Sequence, residues 1–515
     1  MSWIPVLKAA EQRRLDALSV ARGVGAEVLM DSAGSNAAAW MCVARCFHSV
    51  LVLAGPGGNG GDGFVVAQRL LEAGKEVRVI SRAPVDALTG TTQVMATRVL
   101  DAGGTIEVLE EAMTTDDLSP SLEATDWIVD AWFGSGLSRP LQAADAELVD
   151  RVNAAHVPVV SLDLPSGLAS DSGASLGPAI QADDTLAMQF YKLAHWFEPV
   201  AARCGRIHVM GVAYPASVLE EIQSEALVPT SEWIKTRLPQ RPRDGHKGTF
   251  GRLLVVAGSE RMKGASVLCC KGALRAGIGL LTLMHPASIA ADIAAAVPEA
   301  LTLPAPDRDG ALDAVPLTAE VQDMLSKQQV LAIGPGVGNA VQTRTQLAHI
   351  LRSFRGPVVV DADALSVLIE DADLLDQLRG RAILTPHPGE MARLVGMSPE
   401  QVDQDRLEVA RSYARAHGVI LLLKGSPTVI ALPDGRCVLN PTGNQGLATG
   451  GSGDVLTGLI AGFLASGAGL EEAAVLGAYV HGATADRWAR RHAARSLTPS
   501  DLVDWIPETL KEIES

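Results

Sequence analysis

In the stretch GLATGGSGDVLTGLIAG (446–462), Gly446, Gly450, Gly451 and Gly453 lead into an apolar run, and Asp454 stands at the junction. A glycine-rich turn feeding a helix start exposes backbone N–H groups that no intrahelical carbonyl satisfies, and such groups hold anions. A carboxylate there repels the anion unless it acts on the group that reacts with it, as base or acid in phosphoryl transfer. A helix-capping aspartate is the plain alternative for Asp454.

Other chemistry-bearing residues cluster at the ends of apolar runs. In the second half these are DGHKGTFGRLLVVAGSERMKGA (244–265), IGPGVG (333–338), LTPHPGE (384–390) and LLLKGSPT (421–428). Together with 440–454 they point to one cleft. In the first half, GPGGNGGDGFVVAQRLLEAG (55–74) is a glycine loop opening an amphipathic helix, Asp130 and GSGLSRP (134–140) follow a second apolar run, and LDLPSG (162–167) follows a third.

The elements that carry these residues read as buried strands alternating with helices. SVLVLAG (49–55), WIVDAWFG (127–134), VPVVSLDL (157–164), RLLVVAG (252–258), QVLAIGPG (329–336), GPVVVDAD (356–363) and GVILLLKG (418–425) are continuous apolar runs, as in parallel sheet covered on both faces. Ligand chemistry in such sheets gathers at the carboxyl ends of the strands. A chain of 515 residues exceeds one ordinary core, so two α/β domains are expected. The segment 224–251, with three prolines and no clear strand, suits a linker and the entry to the second domain; the boundary is placed at 226/227.

A formal net charge of −16 argues against nucleic acid and anionic membrane surfaces as partners, but not against small phosphorylated ligands. Cysteines at 42, 46, 204, 269, 270 and 437 show no CxxC pair and no metal-ligand spacing, which suits a reducing cytosol, with buried thiols expected for Cys42 and Cys46. The first twenty residues lack a signal-peptide core and no uncharged apolar run approaches the roughly 18 residues of a membrane span, so a cytoplasmic protein is expected.

Three motifs in order, GNGGDG at 58–63, VDAWFGSGL at 129–137 and DLPSG at 163–167, resemble the YjeF N-terminal family, the NAD(P)H-hydrate epimerases. The resemblance implies an N-terminal Rossmann-like domain (1–226) in which Gly58, Asn59, Gly60, Gly61, Asp62, Gly134, Ser135, Gly136, Leu137, Ser138, Arg139, Pro140 and Asp163 bind the hydrated nucleotide. It implies K+ ligated by Asn59, Asp130 and Ser166, oxygen donors suited to a hard cation. LMDSAG (29–34) is similar to that family's MENAG-type helix segment. Gly58 stands where the family usually has a first Asn, and YKLAHWFEP (191–199) replaces the more usual KPGLLTG-like continuation after Lys192. Asp163 is the preferred proton-transfer residue, since a carboxylate at a strand end can face the ring carbon that inverts; capping the next turn is its plain alternative.

HKG, GPGxG, DADAL, TPHPGE, KGxxT and GxGD in order resemble the YjeF C-terminal family, the NAD(P)H-hydrate dehydratases of ribokinase-like fold. The resemblance implies a C-terminal domain (227–515) in which Lys424, Gly425, Ser426, Pro427, Thr428 and Gly453 contact the adenine nucleotide. Ala265, Gly336 or Gly338, His387 and Asp454 then face the substrate, with Asp454 catalytic and Mg2+ assisting. A bifunctional enzyme follows that epimerises the hydrates NADHX and NADPHX and dehydrates the S form with ADP, as a homo-oligomer. A ribokinase-type small-molecule kinase carrying a non-catalytic N-terminal binding or dimerisation domain stays open beside it.

Overall fold

The computed structural model describes residues 2–109, 122 and 124–515 and divides them into two compact units, Ile4–Ala226 and the remainder, Leu227–Ser515 with the extreme N-terminus. Each is an α/β unit, the fold class expected.

The first unit is built on a seven-stranded parallel sheet in the spatial order 106–108, 76–81, 49–54, 127–131, 159–162, 184–188, 206–210. The chain starts in the middle with Ser49–Ala54, steps out to one side, then returns to Trp127–Ala131 and proceeds the other way. The crevice between those two neighbours is the topological switch point, where ligands bind in open α/β sheets. Strand Trp127–Ala131 is buried at every position, as its apolar run requires. Helix Gly58–Glu72 rises directly from strand Ser49–Ala54 and takes the glycine loop into its own first turn. Only glycine fits at Gly60, where a Cβ would lie 1.8 Å from the Gly55 carbonyl oxygen.

The second unit carries seven parallel strands in the order 301–305, 280–286, 252–256, 330–333, 358–360, 382–384, 420–423, continued by the antiparallel strands 429–431 and 437–439. Helix Ser452–Ala465 is buried along nearly its whole length and packs on helix Lys263–Arg275. The two approach closely because a Cβ at Gly458 would sit 2.1 Å from the Cys269 carbonyl oxygen. This contact fixes the helix start at which Asp454 sits.

Two expectations are corrected. The 224–251 segment does contain a strand, Ala226–Pro229, whose Leu227 pairs with Val438, followed by a helix Ser231–Arg237 capped by Thr230. Trp233 and Ile234 on that helix are buried, and their apolar area outweighs the flanking prolines. Cys42 and Cys46 are exposed, not buried. Helix Ala26–Ala44 ends before Cys46, so the two thiols do not share a helix face.

Candidate functional site

In the first unit the glycine-loop helix, the end of strand Trp127–Ala131 and the DLPSG turn meet at the switch point. The Asp130 carboxylate, wholly buried, braces the turn: its Oδ2 accepts from the Ser166 backbone N–H and the Ser161 hydroxyl, each at 2.8 Å, and its Oδ1 accepts from Ser166 Oγ at 2.5 Å. Burial pushes the Asp130 carboxyl up, against the pull of these hydrogen bonds and one from Trp132 N–H. Asn59 donates Nδ2–H to the Phe133 carbonyl at 3.0 Å, while its Oδ1 is buried without a partner. An orphaned carbonyl oxygen near a buried carboxylate and a serine hydroxyl is a donor set that fits a hard monovalent cation.

Asp163 stands at the end of strand Val159–Leu162 with a left-handed backbone, φ 62°. Its Oδ1 accepts from Lys192 Nζ at 2.5 Å and its Oδ2 from the Ser135 N–H at 3.3 Å. Burial alone raises this carboxyl, but the Lys192 charge and hydrogen bond hold it below the ordinary carboxylate value. Asp62 is the opposite case: burial, then the charges of Asp163 and Asp16, push its carboxyl well up. Two carboxyls driven in opposite directions in this way are the pairing that acid–base chemistry uses. Gly136, Ser138, Arg139 and Pro140 form an exposed rim, with Gly134, Ser135 and Leu137 half-buried beneath it.

In the second unit Asp454 occupies the first turn of helix Ser452–Ala465, preceded by Gly451 with φ 100°. Its side chain makes no capping bond, and among the described residues its carboxylate has no hydrogen-bond partner. Burial and the Asp361 charge push the carboxyl up to about 7, with Lys424 opposing and Asp363 adding to the rise. The helix start is held from beneath by buried His481, whose Nε2 lies 3.0 Å from the Ser452 carbonyl oxygen. Burial holds the His481 imidazole down at about 4. It is neutral at neutral pH and donates from Nε2.

Lys424 Nζ lies 2.9 Å from Asp361 Oδ1 and 3.9 Å from Glu390 Oε2, and Thr457 donates to Asp361 Oδ2 at 2.7 Å. A Cβ at Gly453 would be 3.5 Å from Lys424 Nζ, which brings the KGSPT and GSGD segments together. A Cβ at Gly336 would be 2.6 Å from that of Ala265, and Gly338 N–H donates to Asp363 at 2.9 Å. His387 begins helix Pro388–Val395: its Nδ1 accepts from the N–H groups of Gly389 and Glu390, and Glu390 Oε2 accepts from the His387 backbone N–H. The imidazole is neither a core residue nor wholly free; its ring stays about half exposed, with Nε2 3.4 Å from Glu390.

Residues not among the expected site residues complete the site. Asp361, which opens the DADAL motif, and Thr457, within the 446–462 stretch, tie Lys424 to the Asp454 helix. Arg406, buried, donates from Nη2 to the carbonyls of Lys424 at 2.8 Å and Pro427 at 3.2 Å, and so shapes the 424–428 loop from below. It lies in an unremarkable helix, Arg406–His417, far from the loop in sequence.

Two doubly wound α/β units, each with tuned carboxylates at the carboxyl ends of its strands, define a two-site enzyme. Residues 26–194 match the family described as YjeF-related protein N-terminus, and residues 253–508 match the family described as NAD(P)H-hydrate dehydratase. The bifunctional NAD(P)H-hydrate repair enzyme Nnr of Moorella thermoacetica is 38% identical over 517 residues, covering 99% of this chain and 97% of that protein. The Escherichia coli enzyme of the same name is 34% identical over 456 residues, covering 88% and 83%. Among solved structures, the ADP/ATP-dependent NAD(P)H-hydrate dehydratase from Bacillus subtilis, co-crystallised with ATP/Mg2+, is 34% identical with a TM-score of 0.47, covering 55% of this chain and 98% of that one. The chain belongs to the family of bifunctional NAD(P)H-hydrate repair enzymes, which join an epimerase domain to a dehydratase domain. No described helix is long and apolar enough to cross a membrane.

Proposed function

We propose that the first unit interconverts the R and S hydrates of NADH and NADPH at the Asp163 site, and that the second returns the S hydrate to the reduced nucleotide at the Asp454 site, at the expense of ADP. The observation that carries this reading is Asp454: a carboxyl with no protein partner, poised at about 7 beside the free N–H groups of a helix start.

Hydration leaves a hydroxyl on C6 of the ring, and hydroxide is a poor leaving group. Asp454 takes the hydroxyl proton while the oxygen attacks the terminal phosphoryl of ADP, and AMP departs. The N–H groups of Gly450, Gly451 and Gly453 stabilise the transferring phosphoryl, while that of Ser452 is taken by the Thr449 carbonyl. Mg2+ brought in with the nucleotide would supply further charge neutralisation. The C6–O bond then breaks as phosphate leaves with the bonding pair, the N1 lone pair assists, and the departing phosphate takes a C5 proton, which restores the ring double bond. Lys424, Gly425, Ser426, Pro427, Thr428 and Gly453 contact the nucleotide; Ala265, Gly336, Gly338 and the exposed edge of His387 face the hydrate.

In the first unit C6 carries both the hydroxyl and the ring nitrogen, so it inverts without breaking a C–H bond. Asp163 takes the hydroxyl proton, the C6–N1 bond opens to an aldehyde with its electron pair on N1, and Asp62, whose carboxyl burial pushes well up, serves as the acid that delivers a proton there. Rotation about C5–C6 and the reverse transfers close the ring with the other configuration and restore both carboxyls. The 58–62 turn and the 134–140 rim hold the nucleotide. Asn59 Oδ1, Asp130 and Ser166 would hold K+, whose charge would offset that of the buried Asp130 carboxylate.

The test uses a mixture of R and S hydrates with excess ADP. The wild-type chain repairs it in one continuous phase. Asp163→Ala shows a fast phase equal to the S fraction, then a tail set by spontaneous epimerisation. A wild-type chain that stalls after the S fraction sinks the epimerase assignment, and a single phase in Asp163→Ala removes Asp163 from the chemistry.

A further inference from the structure

The environment of Asp163 contains two residues that the reading above leaves without a task. Lys192 has no exposed surface at all, and its ammonium is spent on Asp163 Oδ1 at 2.5 Å and the Phe190 carbonyl at 3.3 Å. A lysine is buried to this extent only when its charge is paired. Its place is set by the backbone, because Leu7 and Lys192 are neighbours in the short parallel pairing of Val6–Leu7 with Tyr191–Lys192.

One turn on, buried His195 accepts the Lys192 backbone N–H on Nδ1 at 3.0 Å, and its Nε2 lies 2.8 Å from the Asp163 carbonyl oxygen. These partners decide the tautomer: Nδ1 faces a donor, so the proton is on Nε2 and is donated to Asp163. The imidazole thus bridges the backbones of the two ion-paired residues. It ties down Asp163 where its backbone is left-handed, a conformation that a non-glycine residue keeps only when its surroundings impose it.

We propose that Lys192 and His195 are positioning residues of the epimerase site: Lys192 fixes the Asp163 carboxylate as the acceptor of the C6 hydroxyl proton, and the neutral His195 bridge holds the backbone from which that carboxylate projects. The inference rests on Asp163 being the base. It concerns YKLAH (191–195), where this chain departs from the family continuation.

The groups facing Asp163 make the consequence one-sided. Beside Lys192 and His195 stand Asp62 on helix Gly58–Glu72, Asp16 on helix Ala9–Ala21, and Tyr214, which is hydrogen-bonded to Asp16. Burial holds His195 down at about 4, so it is neutral at working pH. The Lys192 ammonium is the nearest cation to Asp163, and its removal leaves the buried carboxylate with the Ser135 N–H as its remaining hydrogen-bond donor.

Epimerisation is followed in the full-length chain without nucleotide, by chromatographic separation of the two hydrates. Lys192→Met is expected to move the acid limb of kcat to higher pH than in wild type, with the rate falling about tenfold per pH unit below the limb and recovering above it. Lys192→Arg keeps a cation and restores the wild-type limb in large part. His195→Leu lowers kcat tenfold or more at every pH with KM little changed, whereas His195→Gln, which offers an acceptor and a donor, retains most of the rate. Nucleotide-dependent consumption of the S hydrate by the same chains stays at wild-type rate and reports the second unit, while near-UV circular dichroism and the melting transition of the first unit report its own folding. A loss in Lys192→Met that is equal at all pH values, or no loss, overturns the role of Lys192; a wild-type rate in His195→Leu overturns that of His195. If Lys192→Met does not fold, the Lys192→Arg profile and the two His195 variants decide. A fully active Asp163→Asn defeats the base assignment itself, an outcome distinct from an inactive Asp163→Asn beside an unshifted Lys192→Met.

Discussion

The Lys424 ammonium sits 2.9 Å from the buried Asp361 carboxylate, and the charges of this pair act in opposite directions on Asp454. Burial raises the Asp454 carboxyl, Asp361 raises it further and Lys424 restrains it, leaving it at about 7. A base must be ionised, so dehydration should rise with pH through about 7 and level off above it. Lys424→Met removes the restraint and should carry that limb to higher pH. A profile flat between pH 6 and 8 in single-turnover measurements, about a unit either side of that value, would remove Asp454 from proton transfer.

Asp454→Asn should lower dehydration by about 10²–10⁴-fold while leaving nucleotide affinity largely intact, because the amide keeps the loop's shape. The same change should stabilise the second unit. The folded carboxyl binds its proton more tightly than the unfolded one, so wild-type stability falls as pH rises from the ordinary carboxylate range through about 7. The gain in Asp454→Asn is then largest near pH 8, up to about 4 kcal/mol, and small near pH 4. A variant that melts below wild type at pH 8 would assign Asp454 a structural role instead.

Potassium should raise the melting temperature of the first unit more than sodium at equal ionic strength, since Asn59 Oδ1 is buried with no partner and Asp130 has no counter-charge among its hydrogen-bond donors. Asn59→Ala should abolish the difference between the salts. Equal shifts in KCl and NaCl for wild type would dismiss the cation site.

Arg406 should matter to nucleotide and not to hydrate. Its guanidinium underlies Gly425, where φ is 145° and a Cβ would lie 2.3 Å from Arg406 Nη2. Arg406→Met leaves the Lys424 and Pro427 carbonyls short of a donor and should raise KM for ADP tenfold or more, about 1.4 kcal/mol or above, with epimerisation unaffected. Gly425→Ala should do the same by pushing the guanidinium aside. An unchanged KM in both would mean that the loop is shaped by its own backbone.

The α/β class was legible because apolar runs such as SVLVLAG and GPVVVDAD end in glycine or aspartate, and a strand buried on both faces leaves no other pattern. The strand Ala226–Pro229 was not, since four residues beside prolines carry too little periodicity to stand out from a linker. Cys42 and Cys46 were misjudged because the general preference of thiols for burial does not say on which face or beyond which end of a helix a given cysteine lies.

At the sites the division falls differently. Local order dictates that Asp454 opens a helix after a glycine turn and that Asp163 ends a strand, because those are properties of neighbouring residues. Whether each carboxyl is charged was decided by packing: Lys192, 29 positions beyond Asp163, folds back onto one, while Asp361, far upstream in the chain, crowds the other. A pKa responds to charge and solvent within a few ångströms, and no reading along the chain contains those distances. The same holds for Arg406 and His195, whose tasks arise from carbonyl oxygens brought to them by the fold.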